Sequence, residues 1–168
     1  MAACFLFCAS NIFINPLSKG LAPYYENKLY KAAFEIEKND PGAEWLVFAS
    51  ITAPELLKAA GVNCFNGVQF APQFKELSFL DSATQNTDIY NRYAHVLFFP
   101  LRDGSDSVKF TLASGDCYHI HIDPSSDRLK KMGVKYIAFS YKPLDIEVRN
   151  LLLIKEIAGY FIYKRKDL

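Results

Sequence analysis

The stretch from Glu44 to Val68 constrains the fold more than any other part of the chain. Glu44 to Ser50 (EWLVFAS) is an apolar run of strand length, with no polar alternation, as in a strand buried on both faces. Ala53 to Ala60 (APELLKAA) then has the marks of a short helix. Thr52 stands at the N-cap, Pro54 in the first turn and Glu55 where a capping box would close, and Gly61 ends it. Val62 to Val68 (VNCFNGV) is the next strand candidate. Strand, short helix and strand in this order predict a βαβ unit, and with it a partly parallel sheet.

The flanking segments extend the pattern. Tyr24 to Asn39 reads as a helix, with Leu29, Ala32, Ala33 and Ile36 at helical spacing and Asp40-Pro41-Gly42 as its stop. Gln69 to Asp88 reads as a long surface loop with a short helical piece, of the kind that often lies over a site. Ile89 to His95 is expected to be a helix and Val96 to Phe99 a strand. Asp103-Gly104 is a strong turn pair. Val108 to Ala113 and Tyr118 to Ile122 are strands, Ser125 to Met132 a short helix, and Val134 to Ser140 a strand. Glu147 to Glu156 is helical or extended, and Tyr160 to Lys164 is the last strand. The expectation is one mixed α/β domain, with an antiparallel portion around Val96 to Ile122 and helices packed on the sheet.

At 168 residues the chain is long enough to bury a core without staples. Hydrophobic residues at 51% with a net charge of +1 argue against disorder. The absence of a basic excess also argues against a nucleic-acid partner held by bulk charge. The four cysteines, Cys4, Cys8, Cys64 and Cys117, form no disulfide framework or zinc-knuckle spacing and read as buried thiols. No G-x-G-x-x-G, P-loop or G-x-S-x-G string occurs.

Residues 1–14 form a separate apolar segment, with Ala2 to Ile14 almost wholly apolar. That is short of the roughly 20 residues a spanning helix needs, and no basic residue precedes it. Two readings stay open from the pattern: a buried first element, or the tail of a transmembrane helix. Asn15-Pro16-Leu17 closes the run, and residues 15–168 form the single α/β domain.

Three groups of residues suggest chemistry. Cys117, His119, His121 and Asp123 alternate with apolar residues and fall on one strand face, where two imidazoles at i and i+2 can share a zinc ion. The alternative is a half-buried strand with a polar outer face. Tyr90-Asn91-Arg92-Tyr93-Ala94-His95 concentrates donors and rings. Arg92 could grip a phosphate or carboxylate, and Tyr90 and Tyr93, at i and i+3 of a helix, could stack on a sugar. The alternative puts the rings in the core and Arg92 on backbone carbonyls. Asn66-Gly67 suits a tight turn or a close backbone approach at a strand end, where α/β sheets bind ligands.

A resemblance follows from several strings in order. They are Asn15-Pro-Leu-Ser-Lys-Gly-Leu21, Asp40-Pro-Gly-Ala-Glu-Trp45, Gly61-Val62 with Asn66-Gly67-Val68, and Tyr90 to His95. Asp116, Asp123-Pro124 and Leu129 to Tyr136 come after them. The series resembles the C-terminal extracytoplasmic domain of polytopic GT-C-type membrane glycosyltransferases. The resemblance implies that residues 1–14 are a membrane-helix remnant and that the domain stands outside a bacterial cell membrane. It implies no cofactor and no catalysis by this chain alone, the catalytic acid belonging to the membrane part of the parent protein. The implied role is to bind or orient a cell-envelope glycan or lipid-linked sugar, through Asn66, Gly67, Tyr90, Asn91, Arg92, Tyr93 and His95. The competing expectations are a freestanding metal-dependent enzyme using His119 and His121, and a protein-interaction domain.

Overall fold

The computed structural model describes residues 21–103 and 105–168. The apolar segment 1–14, Cys4, Cys8, Asn15 to Gly20 and Gly104 lie outside the described residues. Two helices open the described chain, α1 (Ala22–Tyr25) and α2 (Lys28–Asn39). The single helix expected from Tyr24 is interrupted because Asn27 caps a new one. Its Oδ1 accepts from the N–H groups of Leu29 (2.8 Å) and Tyr30 (3.3 Å). Then come β1 (Glu44–Phe48), α3 (Ala53–Ala59), β2 (Asn63–Cys64), β3 (Gly67–Gln69), α4 (Phe74–Leu80) and α5 (Thr87–Tyr90). The remainder is β4 (Ala94–Pro100), β5 (Val108–Ser114), β6 (Cys117–Ile122), α6 (Asp127–Lys131), β7 (Val134–Phe139), a 3₁₀ turn (Asp145–Val148), β8 (Leu151–Ile157) and β9 (Tyr160–Arg165).

The nine strands of the described residues join one mixed sheet, whose main path runs β5-β6-β4-β1-β7-β9-β8. The central four, β6-β4-β1-β7, are parallel. β5 adds an antiparallel edge on one side, and β9 and β8 add an antiparallel pair on the other. The expected mixed α/β class is therefore the observed one, with a second antiparallel flank at the C-terminal end.

The βαβ unit forms, but in shortened form. β2 pairs parallel to β1 over Glu44↔Asn63 and Trp45↔Cys64. The predicted single strand Val62 to Val68 then breaks at Phe65 and Asn66. Its second half, β3, runs antiparallel to β4 from Gly67↔Val96 to Gln69↔Ala94. β1 and β4 are thus held apart at their starts by an inserted segment and meet only at Phe48↔Phe98. The helix start also differs from expectation. Thr52 makes no cap bond; the Ser50 Oγ accepts from Ala53 N (3.0 Å) instead. Glu55 turns away from the helix and accepts from Val68 N (2.6 Å).

The core has two layers because the sheet is covered on both faces. Leu46 and Phe48 of β1 join Val96, Phe98, Tyr118, Ile120, Ile137 and Phe139 beneath α4 and α6. Trp45 and Val47 point the other way, to Leu29, Ala32 and Ala33 of α2 and to Leu57 of α3. This is why Glu44 to Phe48 shows no alternation. Burying a single Leu29 in that second layer contributes about 2 kcal/mol. The second layer stops at α3. On its side of the sheet, the β4 and β6 residues Leu97, Phe99, His119 and His121 belong to neither cluster and are only half-buried.

Candidate functional site

A groove of about 880 Å³ opens along α3 on this second face. One wall is aromatic: Tyr24 and Tyr25 of α1 and Tyr30 of α2 line it. Ile51, Leu56 and Ala59 line it from the loop after β1 and from α3. Tyr160 of β9 and His95 of β4 complete it. Local sequence explains the aromatic wall. Asn27 starts α2 at a fixed point, so Tyr30 falls in the first turn, next to the preceding short helix. Its ring meets that of Tyr25 edge-on at 5.4 Å and stacks on Phe34 at 6.3 Å. Tyr24 and Tyr25 remain 53% and 52% exposed, so about half of each is accessible to a ligand.

Few charged groups enter the groove. Among the lining residues Glu55 is the one carboxylate and His95 the one imidazole. Glu55 is already engaged by Val68 N and by the Lys58 ammonium (3.5 Å). The His95 Nδ1 is buried and has no hydrogen-bond partner among the described residues. The aromatic and aliphatic lining suits binding of rings and apolar faces.

Of the residues the sequence nominated, His95 alone lines this groove. The rest of Tyr90 to His95 is not a helix. α5 ends at Tyr90, Asn91 is its exposed C-cap, and His95 already lies in β4. Tyr90 and Tyr93 therefore share no helical face. Tyr90 is buried against Phe74 and Phe110, whereas Tyr93 is exposed beside Phe70. The Arg92 guanidinium donates to the backbone carbonyls of Asp88 and Gly115 (3.3 Å to the latter), tying α5 to the β5–β6 turn. Asn66 is fully buried and bonds to the backbone of Val47. Gly67 packs closely under Pro54 and Glu55.

Cys117, His119 and His121 do share one face of β6, as alternation predicts, but Asp123 does not join them. It lies past the strand end, buried, accepting from Ser125 N (2.8 Å) and Arg149 (2.6 Å). The Phe99 ring sits 4.8 Å from the His119 ring and 5.6 Å from that of His121. Among the described residues no third His, Cys, Asp or Glu completes a metal-holding group with them.

The sequence reading missed Tyr24, Tyr25, Tyr30 and Tyr160 as site residues. The cluster YYENKLY was visible as an aromatic-rich helix start, and it was the only available signal. Nothing local links it to Tyr160.

No curated protein and no solved structure matches the chain significantly. The family model described as "Domain of unknown function (DUF7654)" matches residues 23–167, from the Pro of α1 to the residue after next beyond β9. With nearly the whole described chain matched, the protein belongs to the DUF7654 domain family.

Proposed function

We propose that this chain is an extracytoplasmic accessory domain that binds a cell-envelope glycan or lipid-linked sugar beside the membrane part of a bacterial polytopic parent protein. The parent is of the GT-C glycosyltransferase kind, and this domain orients its acceptor without itself catalysing transfer. The observation that carries the reading is the tyrosine-lined groove. Sugar rings present apolar C–H faces and hydroxyl edges, and they are held by aromatic faces with polar tips, which Tyr24, Tyr25, Tyr30 and Tyr160 supply. The scarcity of charge in the groove favours a largely neutral ligand.

The position of the groove supports the same reading. Leu21 lines it and stands seven residues after Ile14, where the apolar segment ends. Seven residues span at most about 25 Å. If residues 1–14 end a membrane helix, the groove is within reach of a membrane-anchored glycan.

Titration of the chain with neutral envelope oligosaccharides, followed by NMR, tests this. Saturable shifts at Tyr24, Tyr25 and Tyr30 are expected, with Y24A/Y25A weakening binding about tenfold, as the loss of an aromatic platform does. Both residues are half exposed, so the double variant should fold normally. Absence of shifts with every oligosaccharide and lipid-linked sugar tried would reject the reading.

A further inference from the structure

The bare face of β5, β6 and β4 carries a second cluster, away from the groove. Strand register sets its layout. His121 lies between Lys109 on one side and Phe99 on the other, and His119 lies between Thr111 and Leu97. Side chains at directly paired positions stand roughly 5 Å apart. One ammonium, two imidazoles and one hydroxyl therefore share a single patch of sheet. The two imidazole rings are 6.2 Å apart, and Phe99 stacks against His121 at 26° between ring planes. The ring nitrogens of both histidines, and the Lys109 ammonium, have no hydrogen-bond or ion-pair partner among the described residues. The acids in the loops flanking these strands are committed elsewhere: Asp106 to Arg128 and Ser126, Asp103 to Ser105, Asp116 to Ser114 and Asp123 to Arg149.

From this geometry we infer that Lys109, Thr111, His119 and His121 form a phosphate-binding patch that strengthens on acidification. The donors converge on one face, no described carboxylate neutralises them, and a phosphate accepts several charge-assisted bonds at once. Protonation of His121 sets a second positive charge beside the Lys109 ammonium. The state without ligand resists that change. Partial burial, followed by the charges of His119 and Lys109, holds His121 below the usual histidine pKa. A bound phosphate supplies the missing counter-charge. The facing groups are Phe99, Leu97 and, at the far end beside Cys117, His95 from β4, Lys109 and Thr111 from β5, and Cys117 on β6 itself. The inference does not rest on the groove reading, because it uses none of the groove residues.

The test is an NMR titration of the histidine ring signals with inorganic phosphate, against chloride at matched ionic strength. At pH 5.5 phosphate should give saturable shifts at His119 and His121, and dimethyl phosphate, whose single charge is constant over this range, should bind about tenfold more weakly at pH 7.5 than at pH 5.5. Phosphate should also raise the His121 titration midpoint. K109Q, a change at an exposed residue, should weaken binding about tenfold without altering thermal melting. Flotation with phosphatidylglycerol and phosphatidylcholine vesicles separates the sources of phosphate. Binding specific to phosphatidylglycerol and lost in K109Q assigns a lipid headgroup. Phosphate shifts without vesicle binding assign a soluble phosphate compound. Shifts that match chloride, an unmoved His121 midpoint, or unchanged binding in K109Q would each overturn the inference.

Discussion

The Asn66 carboxamide pairs with both backbone groups of Val47, its Oδ1 accepting from Val47 N (3.0 Å) and its Nδ2 donating to Val47 O (2.8 Å). A side chain thus replaces one rung of the ladder at the point where β1 and β4 are forced apart. Phe65 N supplies the rung before it, donating to Trp45 O (3.0 Å). The inserted segment can leave β1 here because Asn66 leaves no central backbone group unpaired. Asn66→Ala removes both partners of a buried N–H and C=O. It should cost about 2–4 kcal/mol in denaturant unfolding. Asn66→Asp should also destabilise, since a carboxylate cannot donate to Val47 O.

Gly67, the next residue, has φ of +96°, and a Cβ there would meet the Glu55 carboxylate and lie 2.9 Å from Pro54 Cβ. Gly67→Ala should lose about 2 kcal/mol, from left-handed backbone strain plus the contact with α3. Truncating Glu55 in the same chain should recover only part of this, because the backbone strain and Pro54 remain. A double-mutant cycle by thermal melting measures the recovered share.

Glu44, at the start of β1, has its pKa pushed up to about 7 by burial and then by the charge of Glu76, against a hydrogen bond from Asn63. The folded state therefore holds this proton more tightly than the unfolded chain. Stability from this group is full below about pH 4.5 and falls as pH rises towards 7. Because the carboxyl is partly exposed and screened, the fall should be about 1–2 kcal/mol. Glu44→Gln should flatten stability between pH 5 and 8 and raise it at pH 8, read by urea unfolding at each pH.

Glu147 is 1% exposed and ties its own turn to the distant Arg102. Its Oε1 accepts from Arg102 Nε (3.0 Å) and Tyr141 Oη (2.9 Å), and its Oε2 from Leu144 N (2.7 Å). Glu147→Ala leaves the Tyr141 hydroxyl and Leu144 N–H without their partner, and should cost about 2–4 kcal/mol. Arg102→Ala, although Arg102 itself is half exposed, leaves the buried carboxylate without its cation and should also cost about 2–4 kcal/mol. A loss under about 1 kcal/mol in Arg102→Ala, by chemical denaturation, would contradict this.

The placement of elements was legible in the sequence wherever local periodicity carries the information. β1, α3, β6 and β7 fall close to their predicted spans, and the alternation Tyr118, Ile120, Ile122 against Cys117, His119, His121 marks the two faces of β6 correctly. Ile89 to His95 was misread because its helical spacing outlasts α5. The helix ends at Tyr90, and pairing with β3 takes over at Ala94 to Val96. Likewise Val62 to Val68 looks like one strand, since nothing local reveals that its halves pair with different neighbours.

By itself, then, the amino-acid sequence determined a mixed α/β domain, the spans of β1, α3, β6 and β7 to within a residue or two, and the two faces of β6. Those properties depend on neighbours a few residues apart. Tertiary structure alone decided that Asn66 completes a ladder, that Tyr90 is core, and that Tyr24, Tyr25, Tyr30, His95 and Tyr160 share one groove. It also set Lys109 beside His121. Each of these depends on strand order and register, which bring together residues tens of positions apart, and periodicity assigns a face without naming what lies across it.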